Sequence, residues 1–259
     1  MKRIFFLSLS LIATSVLFAQ SLDQYESYRF IQNGDTLPYR ILLPENYNPS
    51  TEYPLIIFLH GRGESGNDNV KQLTHGARMF LTDSIRKKHP AIVVFPQCGF
   101  KDYWSNVHTV ADKNGKREFY HVPDGPPSTS MSLLMGLMEN LFVQFKIKKD
   151  RVYAMGLSMG GMGVFELVRR KPGLVAAAIP ICGGAHPATA ERMRDVKWWV
   201  FHGADDDVVK PEFSVRMVEA LKKVNASVQF TLYPGVKHNS WDLAFAEPGL
   251  MDWLFAQHK

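Results

Sequence analysis

Apolar positions along this chain follow two alternating rhythms. Leu55-Ile-Ile-Phe-Leu59, Ala91-Ile-Val-Val-Phe95, Val152-Tyr-Ala-Met155, Val175-Ala-Ala-Ala-Ile179 and Trp198-Trp-Val-Phe201 are apolar at every position. Strands covered on both faces read this way, as they do inside parallel sheets. Val228 to Tyr233 is a further candidate strand. Between these runs, apolar residues recur at helical spacing over roughly Val70 to Lys88, Ser130 to Phe145, Met159 to Arg170, Pro211 to Val224 and Asp242 to Gln257. Tyr25 to Ile31 and Leu37 to Leu43 alternate instead, which predicts an antiparallel pair turning at Asn33-Gly34-Asp35. The whole rhythm predicts an α/β fold, a mostly parallel sheet with helices on both faces. In such sheets ligands gather beyond the carboxyl ends of the strands.

The start of the chain stands apart from this rhythm. Met1-Lys2-Arg3 is basic, Ile4 to Phe18 is apolar, and Leu17-Phe18-Ala19 precedes Gln20. That layout predicts a signal peptide over residues 1–19, with residues 20–259 forming one domain. The run falls short of the ~20 residues a membrane span needs, so no stable membrane insertion is expected after cleavage. The expected location is secreted or periplasmic.

The formal net charge of +5 shrinks once Lys2 and Arg3 are removed. Basic residues are scattered and do not interleave with aromatics, so no nucleic-acid partner is expected. Two cysteines, Cys98 and Cys182, do not make a disulfide scaffold. Each ends an apolar run and is expected to be a buried free thiol. The two are not expected to pair with each other.

Chemistry collects where the strand pattern puts it. Gly156-Leu-Ser158-Met-Gly160 stands where a strand-like run becomes a helix-like one. Small neighbours let the chain turn sharply enough for a serine hydroxyl to stand over the sheet edge. The backbone N–H of Met159 then points at any oxyanion formed there. A serine needs a base to take its proton, and His238, in the last strand-following loop, is the candidate. The acid that holds the imidazole is expected among Asp205, Asp206 and Asp207, which follow the strand ending at Phe201; spacing does not choose between them. A second oxyanion donor is expected from His60-Gly61-Arg62-Gly63, through the backbone of Arg62. His60 and His202, each in a strand-end His-Gly pair, are expected to shape those turns. No histidine–acid spacing resembles a zinc site, and no phosphate loop is present in the sequence.

With these loops in place the chain resembles an α/β-hydrolase over nearly all of the sequence beyond the leader. It is similar to single-domain secreted esterases grouped with dienelactone hydrolases and phospholipase/carboxylesterase enzymes, among them feruloyl- and acetylxylan-esterase-like proteins and predicted peptidases. The residues carrying this are Phe58-Leu-His-Gly-Arg-Gly-Glu64, Gly156-Leu-Ser-Met-Gly-Gly161, His202-Gly-Ala-Asp-Asp-Asp-Val-Val209 and Tyr233-Pro-Gly-Val-Lys-His-Asn-Ser-Trp241. The family's acid-loop pattern falls on Asp206. Lys210 stands where that pattern has proline, and a shift of register would give Asp207 instead. The resemblance implies ester hydrolysis by Ser158, Asp206 and His238 through an acyl-enzyme, with no metal or organic cofactor. It also matches His238 to the family's base and Arg62 to its first oxyanion donor.

The fold does not set the substrate. The segment Lys101 to Pro127 is long, polar and aromatic-bearing, and is expected to form a rim outside the chemical step. Trp104 and Trp241 are candidates to stack on a sugar or phenolic ring, which points to small-molecule or polysaccharide-linked esters. Two alternatives stay open: a serine peptidase of prolyl-oligopeptidase type, and a non-catalytic binding protein on a hydrolase fold.

Overall fold

The computed structural model describes residues 21–111, 113, 115 and 117–259, so the expected signal peptide lies outside the described residues. The strands are β1 (Glu26–Gln32), β2 (Asp35–Leu42), β3 (Tyr53–Leu59), β4 (Ile92–Pro96), β5 (Val107–Ala111), β6 (Arg117–His121), β7 (Ile147–Leu157), β8 (Ala177–Ile181), β9 (Lys197–Gly203) and β10 (Val228–Tyr233). The α-helices are α1 (Ala77–Leu81), α2 (Asp83–Lys88), α3 (Thr129–Gln144), α4 (Met159–Arg170), α5 (Glu212–Lys223), α6 (Trp241–Phe245) and α7 (Leu250–Ala256).

An eight-stranded sheet runs in the order β1-β2-β4-β3-β7-β8-β9-β10. From β4 to β10 every pairing is parallel, while β2 is antiparallel to both β1 and β4. The β1–β2 turn places Asn33 at φ 53° and Gly34 at φ 85°, the positive values that a two-residue hairpin needs. Side chains alternate through the sheet. On β3, Leu55, Ile57 and Leu59 join one core with α3, α4 and α5, while Ile56 and Phe58 join another with α1, α6 and α7. Burial on both faces explains the unbroken apolar runs, and the α/β-hydrolase architecture expected from them is the one observed.

Two predicted helices are broken. Between Val70 and Lys88 there is one 3₁₀ turn, Lys71–Leu73, followed by α1 and α2. Gly76 at φ 79° and Thr82 at ψ 135° leave the helical region and interrupt the run. The helix expected over 242–257 divides into α6 and α7, with Gly249 at φ 76° between them.

The segment Lys101–Pro127 is not a bare excursion. It contains β5 and β6, an antiparallel ribbon that forms its own sheet. Arg169 and Arg170 of α4, both bonded to the buried Glu166, reach across to the carbonyls of Pro123 (2.9 Å) and Gly125 (3.0 Å). Cys98 and Cys182 are both free and buried, with β3 and β7 lying between β4 and β8. Among the described residues no helix is long and apolar enough to cross a membrane.

Candidate active site

The elbow after β7 is built by close approach. A Cβ on Gly160 would lie 1.9 Å from the Leu59 carbonyl oxygen, and one on Gly156 would lie 2.6 Å from that of Gly160. Only glycine lets α4 start this close to β3. The turn falls on Ser158, which is held at φ 54°, ψ −118°, a conformation disfavoured for any residue with a Cβ. Its N–H donates to Ile181 O at 2.9 Å, so the serine is locked to the end of β8.

Ser158 Oγ lies 2.9 Å from His238 Nε2, and His238 Nδ1 lies 2.8 Å from Asp206 Oδ2. A carboxylate only accepts, so Nδ1 carries the proton and Nε2 faces the serine hydroxyl as acceptor. The loops bearing these groups are stitched together by the N–H groups of Ala204 and Asp205, which donate to Tyr233 O and Val236 O at 2.9 Å each. Asp206 is the acid that faces His238. Asp205 and Asp207 are exposed, and Asp207 lies 3.3 Å from Lys237 instead.

Asp206 is buried, and burial alone would push its carboxyl up. Hydrogen bonds from His202 and His238, the charge of His238 and the N–H of Val209 outweigh this and hold it well below the usual carboxylate range. The His202 bond was not anticipated from the sequence. His202 Nε2 lies 3.1 Å from Asp206 Oδ2 and 2.9 Å from Val209 O, while Nδ1 meets Ser214 Oγ at 2.7 Å. Its position at the end of an apolar run, four residues before the acid, was the available signal. His60 fills a similar role elsewhere, with Nε2 accepting from Cys98 N–H (2.9 Å) and Nδ1 beside Gly61 O (2.6 Å).

Met159 and Arg62, the two expected oxyanion donors, both line the cleft that holds Ser158. Met159 opens α4, so its N–H has no partner within the helix. The Arg62 N–H has no acceptor among the described residues. The Arg62 guanidinium donates to the carbonyls of Asp102 (2.7 Å) and Phe100 and lies 4.8 Å from the Tyr103 ring centre, pinning the loop. Cys182 Sγ lies with Asp206 and His238, their ligand atoms within 4.8 Å of one another. Burial, with the charge of Asp206, pushes that thiol far up, which leaves it neutral packing behind the serine.

Ser158 and His238 open into a cleft of about 250 Å³ whose walls include Tyr103, Phe119, Met159, Met162, Val208 and Trp241. Glu64 and His75 add a polar edge, 3.7 Å apart. Trp241 packs edge-on against His238, ring centres 5.4 Å apart. Trp104 is not there. It is fully buried, 5.4 Å from the His60 ring and against Gly163, so the sequence expectation of a ring-stacking residue is corrected to a core residue. Its neighbour Tyr103 faces the cleft instead.

The profile of the phospholipase/carboxylesterase family matches residues 47–247. The chain belongs to that family. This makes its class that of the ester-hydrolysing α/β-hydrolases. It is similar to acyl-protein thioesterase 1 of Neurospora crassa, 24% identical over 197 residues that cover 71% of this chain and 80% of that one. Among solved structures, a thermostable esterase is 33% identical with a TM-score of 0.82, covering 92% of this chain. The present chain spans 64% of that esterase's length. A ferulic acid esterase from Anaeromyces mucronatus, solved with ferulic acid, shares the fold at 14% identity and a TM-score of 0.62, covering 90% of each chain.

Proposed function

We propose that this protein is an exported serine esterase in which Ser158 is the nucleophile, His238 the base and Asp206 the acid that orients it. The hydrogen-bonded line from Ser158 through His238 to Asp206, ending in the cleft, carries this reading. Ser158 Oγ attacks the ester carbonyl while its proton passes to His238 Nε2. The carbonyl oxygen takes the negative charge and receives the N–H groups of Met159 and Arg62. Collapse breaks the ester C–O bond, and the alcohol leaves with the proton from His238. Water then gives a proton to His238 and attacks the acyl-enzyme, which releases the carboxylic acid and restores Ser158.

Apolar walls of Phe119, Met162 and Val208 suit an acetyl or aromatic acyl group, which supports feruloyl or acetyl esters of plant polysaccharides. The basic, then apolar, leader over residues 1–19 supports export. The test is turnover of p-nitrophenyl acetate, methyl ferulate and acetylated xylan by the mature protein, beside an acyl thioester and a proline-containing amide. Ester turnover lost by about 10⁶ in Ser158→Ala is expected. Turnover that survives this change, or faster cleavage of the amide, overturns the proposal.

A further inference from the structure

The hydrolytic steps make no use of Glu64, yet its carboxylate lines the cleft that holds Ser158. A Cβ on Gly61 would lie 3.0 Å from Glu64 Oε2 and 3.6 Å from Ser158 Cβ, so the carboxylate and the nucleophile border the same point. The Glu64 side chain is only 13% exposed. Carboxylates withdrawn from water to this degree are normally paired. Among the described residues Glu64 is paired only with His75 Nε2, at 3.7 Å, beyond hydrogen-bond reach. The guanidinium of Arg62 does not neutralise it, being committed to the carbonyls of Asp102 and Phe100 and to the Tyr103 ring. No other arginine or lysine is among the described residues that line the cleft. The space beside Ser158 therefore carries an unneutralised negative charge.

The base fixes which half of the ester meets that charge. His238 returns its proton to the departing alcohol, so the alcohol leaves on the His238 side. Trp241 packs against the rings of both His238 (5.4 Å) and His75 (5.2 Å), which sets the Glu64–His75 edge next to that side. The apolar walls of Phe119, Met162 and Val208 are left for the acyl group. Trp241 gives the charged edge an aromatic wall, a surface on which a cation is further stabilised.

We propose that Glu64 is a specificity-determining residue that sets a charge preference on the alcohol half of the ester. Alcohols bearing a quaternary or protonated amine are favoured, and alcohols bearing a carboxylate are rejected. The inference rests on the esterase reading above and goes beyond it.

The experiment holds the acyl group constant and changes the charge. Acetylcholine is compared with its neutral isostere, in which a tert-butyl group replaces the trimethylammonium, and p-nitrophenyl acetate controls for the chemistry. Wild-type protein should use acetylcholine with a kcat/KM about tenfold higher, mainly through KM, and added salt should shrink the advantage. The anionic ester γ-acetoxybutyrate should be used about tenfold less well than the neutral one. Glu64→Gln should bring both ratios close to one, and Glu64→Asp should keep part of each. Tetramethylammonium should inhibit wild-type hydrolysis of p-nitrophenyl acetate competitively, a measurement that needs no variant. Failure of the p-nitrophenyl acetate control defeats the esterase reading itself. Turnover of that control with equal use of acetylcholine and its isostere, with a preference that survives Glu64→Gln, or with no inhibition by tetramethylammonium, overturns the charge preference alone.

Discussion

His202 Nε2 lies 3.1 Å from Asp206 Oδ2, the same oxygen that receives His238 Nδ1–H at 2.8 Å. One carboxylate oxygen thus serves two imidazoles, and the second fixes where the first can point. Truncating His202 to alanine should lower kcat about 10- to 100-fold with KM little changed. His202→Asn, which keeps a donor, should retain more activity. Equal losses in kcat and KM would show only a general loosening of the loop. Asp206→Asn should lose about 10⁴, whereas Asp205→Asn and Asp207→Asn should stay near wild type.

The strained serine gives a prediction about stability. At φ 54° a glycine suffers no Cβ clash, so Ser158→Gly should raise unfolding stability by about 1 kcal/mol while abolishing turnover. Urea unfolding of the two proteins side by side measures this. A variant less stable than wild type would mean that the elbow holds no strain to release.

Acid should weaken the fold in two stages. Burial lowers the His60 and His121 imidazoles alike from 6.5 to about 4. Between these values the unfolded chain holds more protons than the folded one, so stability falls as pH drops, by at most roughly 3 kcal/mol for each. The Asp206 carboxyl is held low in the folded state, so its contribution is present above the ordinary carboxylate range and is lost in stronger acid. Urea midpoints at pH 7.5, 6 and 4.5 follow the first stage. Equal midpoints would contradict it.

Trp104 and Trp241 should separate cleanly. Trp104→Ala empties a fully buried site and should cost about 3–5 kcal/mol of stability. Trp241→Ala, at the cleft wall, should raise KM for bulky acyl groups with a smaller change in melting temperature. Thermal unfolding and kinetics on both variants decide this. The reverse pattern would return Trp104 to the substrate site.

This contrast marks what the chain's pattern makes legible. Leu55 to Leu59 and the glycines around Ser158 announce themselves because burial on both faces and close backbone approach each restrict residue type. Trp104 sits in a polar stretch, and nothing local tells that it turns inward onto Gly163. The β5–β6 ribbon was missed because β5 is mostly exposed on both sides, so it lacks the alternation that burial imposes. Two runs rich in β-branched and aromatic residues flanking an Asn-Gly pair were the weaker signal. The choice of Asp206 over its neighbours depends on which carboxylate the loop turns under His238, a matter of tertiary contact rather than spacing.

The ribbon forms no rung of the eight-stranded ladder; it is held by Phe119, which packs with Met162, Val209 and Phe213, and by the Lys210–Glu118 ion pair at 2.9 Å. The exposed positions of β5 can therefore be exchanged without shifting the register of any strand that leads to Ser158, Asp206 or His238. Selection can alter what the enzyme recognises while leaving its catalytic frame alone. In a laboratory the same segment is the natural place to graft a new specificity: an interchangeable mouthpiece on a fixed machine.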